Sequence, residues 1–428
     1  MRFLPNTAAD RQKMLAKVGV KSIDDLYQDV PKSAVLSKPL PLPSHQGEMA
    51  VEAHITALAD QNIAPRNGYN FLGAGCYDHH IPATVDYIIQ RSEFLTAYTP
   101  YQPEIAQGTL TYLFEFQSYV AALTGMDVAN ASMYDGATSL AEAALMAKRI
   151  TKRADVLIST PLHPDYMAVL ETYLQHVGGK IRTEGSADEN TACVIITSPD
   201  FTGNVHTFDK ARHECDESGA LLIHAFTEVL SLGVLEPATV ADIVVGEGQG
   251  LGVGMQFGGP HLGLFACKEK YIRQMPGRFC GQTTDSDGNV GYVLTLNTRE
   301  QHIRRDKATS NICTNQGLCA LAFTVHTSLL GEGGFKELAN LNHQHACYLA
   351  QQLEKLSGVK VRNETFFNEF VVDFATPIRP VVEKLAQGGI MLGHCLSDTA
   401  LLMCATEKTT PTHIDTIVNM LKKELSHD

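Results

Sequence analysis

ADIVVGEGQGLGVGMQFGGPHLGLFACK, residues 241–268, contains two short apolar runs, 241–246 and 261–268, joined by a glycine-rich loop. Three runs of the same kind precede it: DVLIST at 155–160, ACVIITS at 192–198 and GALLIHAF at 219–226. None alternates polar with apolar residues, so each reads as a strand buried on both faces. Helix-length amphipathic segments separate the runs, which predicts a mostly parallel sheet between helical layers, an α/β architecture. The glycines of the loop imitate a nucleotide fingerprint, but no helical pattern follows them, and a Rossmann-type dinucleotide site is not expected. Lysine is absent between Lys210 and Lys268.

At 428 residues the chain exceeds the size at which one core keeps growing, so more than one domain is expected. Residues 1–60 read as an arm: helix-compatible runs follow Thr7 and Ser22, and KPLPLPSHQGE at 38–48 reads as an extended, proline-stiffened connector. Residues 61–330 carry the α/β pattern. From 331 to 428 a helical run starting at Gly334 is followed by strand and helix signals of a small α+β domain. A net charge of −13 argues against nucleic-acid and anionic-membrane partners, which are held by Lys and Arg. No stretch approaches the roughly 18 apolar residues of a membrane span, and the N-terminus lacks an apolar signal core. The ten cysteines show neither C-x-x-C nor zinc-finger spacing. Reduced thiols and a cytoplasmic location are the expectation.

Four further stretches carry chemistry. TREQHIRRDKATSNICT at 298–314 packs Arg299, His302, Arg304 and Arg305 around Glu300 and Asp306, which suits an ion-pair network or an anion site; a solvated helix face is the plainer alternative. AYTPYQPEIAQGTL at 97–110 places Tyr98, Tyr101, Gln102 and Glu104 on a proline-stiffened loop, where the phenols serve either recognition or packing. In YDGATSLAEAALMA at 134–147 a turn enters an Ala-rich helix with Thr138 and Ser139 at its start, which is either an N-cap or a phosphate cradle. In CYDHH at 76–80 adjacent histidines, read as strand residues, point to opposite faces, so a metal site is not expected.

Taken in order, the stretches at 97–110, 134–147, 241–252, 257–263, 275–281 (MPGRFCG) and 298–314 resemble the glycine cleavage system P-protein family, pyridoxal-phosphate glycine decarboxylases, and specifically the non-catalytic half that some organisms make as a separate alpha subunit. The resemblance implies the fold-type I architecture of pyridoxal-phosphate transferases, with a large sheet domain and a small C-terminal domain. It implies that the position of the Schiff-base lysine is Gly250, preceded by Gln249, and glycine cannot form that imine. It further implies that a homologous beta subunit holds the cofactor covalently, that the pair assembles as α2β2, and that the pair decarboxylates glycine and passes the aminomethyl group to lipoylated H-protein. Tyr98 and Tyr101, with Gln102 and Glu104, would then reach the partner's substrate pocket. Arg299, His302, Arg304 and Arg305 would order loops at the interface, and Thr138 and Ser139 would mark a vestigial phosphate turn. His224 or Glu228 would stand where such enzymes hold the pyridine nitrogen. The rival expectations are a stand-alone pyridoxal-phosphate enzyme using another lysine such as Lys268, and a regulatory pseudoenzyme scaffold.

Overall fold

The computed structural model describes residues 5–425. By its internal contacts the chain divides into two units, residues 1–62 and 63–428. In the first, the helix Ala8–Val18 starts at a capping box in which Thr7 and Asp10 exchange side-chain and backbone hydrogen bonds. The proline-rich stretch leads to the helix Glu48–Ala59, whose Met49, Val51 and Ile55 are exposed.

The second unit is built on a seven-stranded sheet. Its strands are β1 (Val128–Ala129), β2 (Asp155–Ile158), β3 (Ile181–Arg182), β4 (Thr191–Thr197), β5 (Leu221–Phe226), β6 (Ile243–Glu247) and β7 (Gly263–Cys267). Their order is β1-β7-β6-β5-β4-β2-β3, parallel from β3 to β6, with β7 antiparallel to both of its neighbours. All five expected runs are strands. Neighbouring residues along them enter different cores: Leu222 and Phe226 pack with Leu110, Phe116 and Phe323, whereas Ile223 and Ile195 pack with Leu140, Met146 and Phe265. Burial on both faces is the physical reason these strands carry no polar alternation.

A hairpin of β8 (Phe279–Thr284) and β9 (Val290–Thr295) follows. The C-terminal region is an antiparallel sheet of β10 (Val359–Val361), β11 (Glu369–Phe374), β12 (His394–Ser397) and β13 (Ala400–Cys404) in the order β10-β11-β13-β12. Its core holds Phe370, Val372, Leu401, Met403 and Ile414. One boundary differs from the sequence reading: the helix expected from Gly334 spans Gly317–Leu353, interrupted only at Gly331 with φ 60° and ψ −177°. The GEGG cluster at 331–334 reads as a stop, but it only breaks the helix locally. The first half is held by buried Cys319, Leu321 and Phe323, a tertiary contribution that local propensity does not register.

Candidate functional site

In open α/β sheets ligands bind beyond the carboxyl ends of the strands. At that end of β6 the chain turns through Gln249 and Gly250, both buried. A Cβ on Gly250 would lie 2.9 Å from His79 Cδ2 and 3.3 Å from Glu228 Oε1. There is no amine at this position, and no space for the root of one. Lys268 follows β7, and its backbone N–H donates to Asp242 O at the opposite end of β6. Its ammonium lies 3.6 Å from Asp242 Oδ1. It therefore stands across the sheet from Gly250, away from the end where ligands bind.

What fills the space beside Gly250 is an ion triad. His79 Nε2 donates to Glu228 Oε2 at 2.8 Å and Nδ1 to Glu407 Oε2 at 2.9 Å, and the imidazole is sealed from water. Asn368 Nδ2 donates to Glu228 and Asn342 Nδ2 to Glu407, both at 3.0 Å. Glu228 also accepts from the Leu230 N–H at 3.0 Å. Burial alone would depress the His79 pKa, but the two carboxylates outweigh it and hold His79 up at about 10, so it is a cation at neutral pH. Although burial also works against its charge, Glu407 is held down at about 2 by that cation. The segment 76–80 is not a strand, yet the two rings still diverge, His79 inward and His80 outward. Next to the triad, the Tyr77 hydroxyl donates to Glu369 Oε2 at 3.0 Å.

The first turn of the helix Gly136–Thr151, capped by Asp135, holds Thr138 and Ser139, both buried. Four of its donors have partners inside the chain, the Ser139 N–H bonding Asp135 O at 3.0 Å. The Thr138 N–H donates to Asp135 Oδ1 at 2.7 Å, and the Ser139 hydroxyl to Asp135 O at 2.8 Å. The Gly136 N–H donates to Glu247 Oε2 at 3.0 Å. Glu247 Oε1 accepts from the N–H groups of Gln249, at 3.0 Å, and Leu262, at 2.8 Å. A carboxylate therefore occupies this helix N-terminus, which is the kind of position that attracts anions. With no lysine, a blocked Gly250 and this occupied turn, the residues present do not fit pyridoxal phosphate.

Beside these groups lies a cleft of about 910 Å³, whose lining includes Arg66, Asn70, His80, His261 and Lys408. Phe257 borders it on a glycine-flanked loop and is 87% exposed with φ 50°.

A second cluster gathers three of the motifs around Arg278, which is buried. Its Nη1 donates to Thr99 Oγ1, Thr314 Oγ1 and Asn315 Oδ1 at 3.1–3.3 Å, and its Nη2 to Tyr101 Oη at 3.2 Å and Cys313 O at 2.9 Å. The guanidinium also stands 5.4 Å from the Tyr101 ring centroid. One arginine thus pins the 97–104 loop to the end of the 298–314 segment. Tyr98 is 86% exposed, and Gln102 and Glu104 are exposed as well.

The arginines of 298–314 part company. Arg299 reaches inward, donating to the carbonyls of Met275 and Gly277 and lying 4.9 Å from the Phe279 ring centroid. Burial brings its pKa down to about 10. Arg304 and Arg305 are exposed. His302 is exposed too, 3.6 Å from Glu300 and edge-on to Tyr101. Of the two residues considered for the pyridine partner, His224 sits within β5, donates to Ser198 O at 3.0 Å and is flanked by Phe208 and Phe226. Only Glu228 reaches the Gly250 end.

Sequence reasoning missed His79, Glu407, Glu247 and Arg278 as site residues. The cue for Glu247 was a glutamate closing an apolar strand run. His79 and Glu407 lie 328 residues apart, and nothing local links them.

A family model described as glycine cleavage system P-protein matches residues 1–421. A protein of Sphingopyxis alaskensis named probable glycine dehydrogenase (decarboxylating) subunit 1 is 53% identical over 452 residues, with all of both chains covered. A crystal structure of glycine decarboxylase (P-protein) of the glycine cleavage system, in inhibitor-bound form, superposes with a TM-score of 0.89 at 39% identity, over 99% of this chain and 100% of that one. The Burkholderia pseudomallei sphingosine-1-phosphate lyase has a TM-score of 0.64 at 14% identity, over 94% of this chain and 95% of its own, and so shares the fold alone.

Proposed function

The chain belongs to the glycine cleavage system P-protein family, and we propose that it works as subunit 1 of a two-subunit glycine decarboxylase, glycine dehydrogenase (aminomethyl-transferring). The observation that carries this reading is the coincidence of full-length similarity to proteins named subunit 1 with a Gly250 position that offers neither lysine nor space. In this reading a homologous beta subunit holds pyridoxal phosphate, and the assembled enzyme decarboxylates glycine and hands the aminomethyl group to the lipoyl arm of H-protein. An α2β2 assembly in the cytoplasm goes with it.

This chain's part is to shape the partner's pocket. Arg278 anchors the 97–104 loop through the hydroxyls of Thr99 and Tyr101 while leaving the Tyr98 phenol free to enter a neighbouring subunit, with Tyr101, Gln102 and Glu104 beside it. Arg299 holds the carbonyls on either side of Pro276, and so supports the segment before β8 that carries Arg278. Arg304, Arg305 and His302 offer donors on the outer surface for a partner's carboxylates.

The test is glycine-dependent CO2 exchange with this chain alone, the partner alone and both together, followed by borohydride reduction and peptide mapping. Exchange only in the mixture, with the pyridoxyl adduct on the partner, is the expected result. Full activity of the partner alone would favour a regulatory scaffold. A stoichiometric adduct on this chain would overturn the assignment of the cofactor.

A further inference from the structure

Loss of the cofactor lysine would by itself leave a cavity with an intact anion cradle, because the backbone N–H groups at a helix N-terminus do not depend on that lysine. Here the cradle is occupied. Glu247 is 3% exposed, and its carboxylate draws together N–H groups from three separate places: Gly136 at the start of a helix, Gln249 in the turn after β6, and Leu262 just before β7. The Tyr166 hydroxyl packs so closely on Gly136 that a Cβ there would meet it at 2.1 Å, which closes the turn from the other side.

We infer that Glu247 is a built-in stand-in for a phosphate, so that the chain's own anion site is closed from within and not merely empty. The inference rests on the reading of this chain as the cofactor-free subunit, but it concerns only the chain's own side chains. The physics is an exchange of like for like. A buried anion that accepts three backbone hydrogen bonds at the positive end of a helix keeps those donors satisfied when no ligand brings an anion to them. Burial pushes Glu247 up to about 7, the cost of keeping a charge there, with the N–H donors acting against the shift. Glu247→Ala removes the carboxylate and its methylenes and leaves three N–H groups directed at the vacated space. The cradle should then accept a small tetrahedral anion.

The experiment uses the isolated chain and inorganic phosphate as the probe, against chloride at matched ionic strength, with the melting temperature as the readout. Wild type should show no difference between the two salts. Glu247→Ala should melt about 2 °C or more higher in millimolar phosphate, since a ligand that binds only the folded state raises its stability. If the variant is too unstable to purify in chloride, its recovery on refolding in phosphate is the equivalent positive result. The inference is overturned if wild type responds to phosphate as strongly as the variant, or if the variant neither responds nor is recovered in phosphate. No partner subunit is present, so this failure would leave the proposed assembly standing, and a failure to assemble would leave the phosphate result standing.

Discussion

His79 and Glu228 form a 2.8 Å ion pair in which both side chains are at most 2% exposed, and the pair fills the space beside the Cα of Gly250. The cation beside Gly250 thus comes from a histidine of the fold and is balanced by Glu228 and Glu407.

Removing that cation should be costly. His79→Ala leaves two buried carboxylates without their counter-charge, and breaking a buried pair in this way typically costs about 3–5 kcal/mol. Urea unfolding of the isolated chain measures it. A loss below about 1 kcal/mol would mean that water or a rearranged Lys408 replaces the imidazolium.

The same groups set the pH response. His79, held at about 10 against an ordinary 6.5, contributes stability that is complete below about pH 6.5 and lost as the pH rises through 10. Burial pushes Glu247 and Glu369 up to about 7, so the folded chain must ionise two sealed carboxyls as the pH climbs from 4.5 past 7. Both effects lower stability on the alkaline side. Glu407, at about 2 against an ordinary 4.5, contributes stability that is present above 4.5 and lost as the pH falls through 2. Burial pushes His224 and His326 down to about 4, so their neutral forms contribute stability that is complete above about pH 6.5 and lost as the pH falls through 4, which offsets the two carboxyls between 4.5 and 6.5. Thermal melts should therefore place the maximum near about pH 5–6 with a clear drop by pH 9. A melting temperature at pH 9 equal to that at pH 6 would contradict the assignment.

Arg299 and its neighbours should separate cleanly. Arg299→Ala strips hydrogen bonds from two carbonyls and uncovers the Phe279 ring, a loss of about 2–4 kcal/mol. Arg304→Ala and Arg305→Ala, on exposed side chains, should change stability by less than about 0.5 kcal/mol. Any effect of the outer two should appear as weaker co-purification with the partner. Comparable destabilisation by all three variants would rule out this division.

Tyr101→Phe removes one acceptor from Arg278 but keeps the ring under the guanidinium. The chain should assemble normally, and exchange activity should fall by about three- to thirtyfold, corresponding to a hydrogen bond of roughly 0.5–2 kcal/mol. Tyr98→Phe, on a side chain exposed in this chain, should lower activity only if a partner covers it. Wild-type exchange rates in both variants would reduce the loop to packing.

The sheet was legible in the sequence because burial on both faces forces each strand to be apolar throughout, and this shows in runs such as 192–198 without any knowledge of their neighbours. The missing lysine was equally legible: it is a matter of composition, and no fold can supply an amine that the 211–267 segment lacks. The 298–314 segment was legible only as a concentration of charge, since nothing local distinguishes Arg299, which turns inward to the carbonyls of Met275 and Gly277, from Arg304 and Arg305, which face solvent. Tertiary structure alone decided which buried charges meet around Gly250 and the helix start at Gly136. Glu228 and Glu407 meet His79 because loops after β5 and β13 and the irregular 76–80 segment converge at the carboxyl end of the sheet. Glu247 meets the helix N-terminus at Gly136 because β6 ends beside it. Burial patterns are written along the chain by the solvent each residue avoids, whereas buried charges are matched across more than a hundred residues, and only the folded chain brings them within hydrogen-bonding distance.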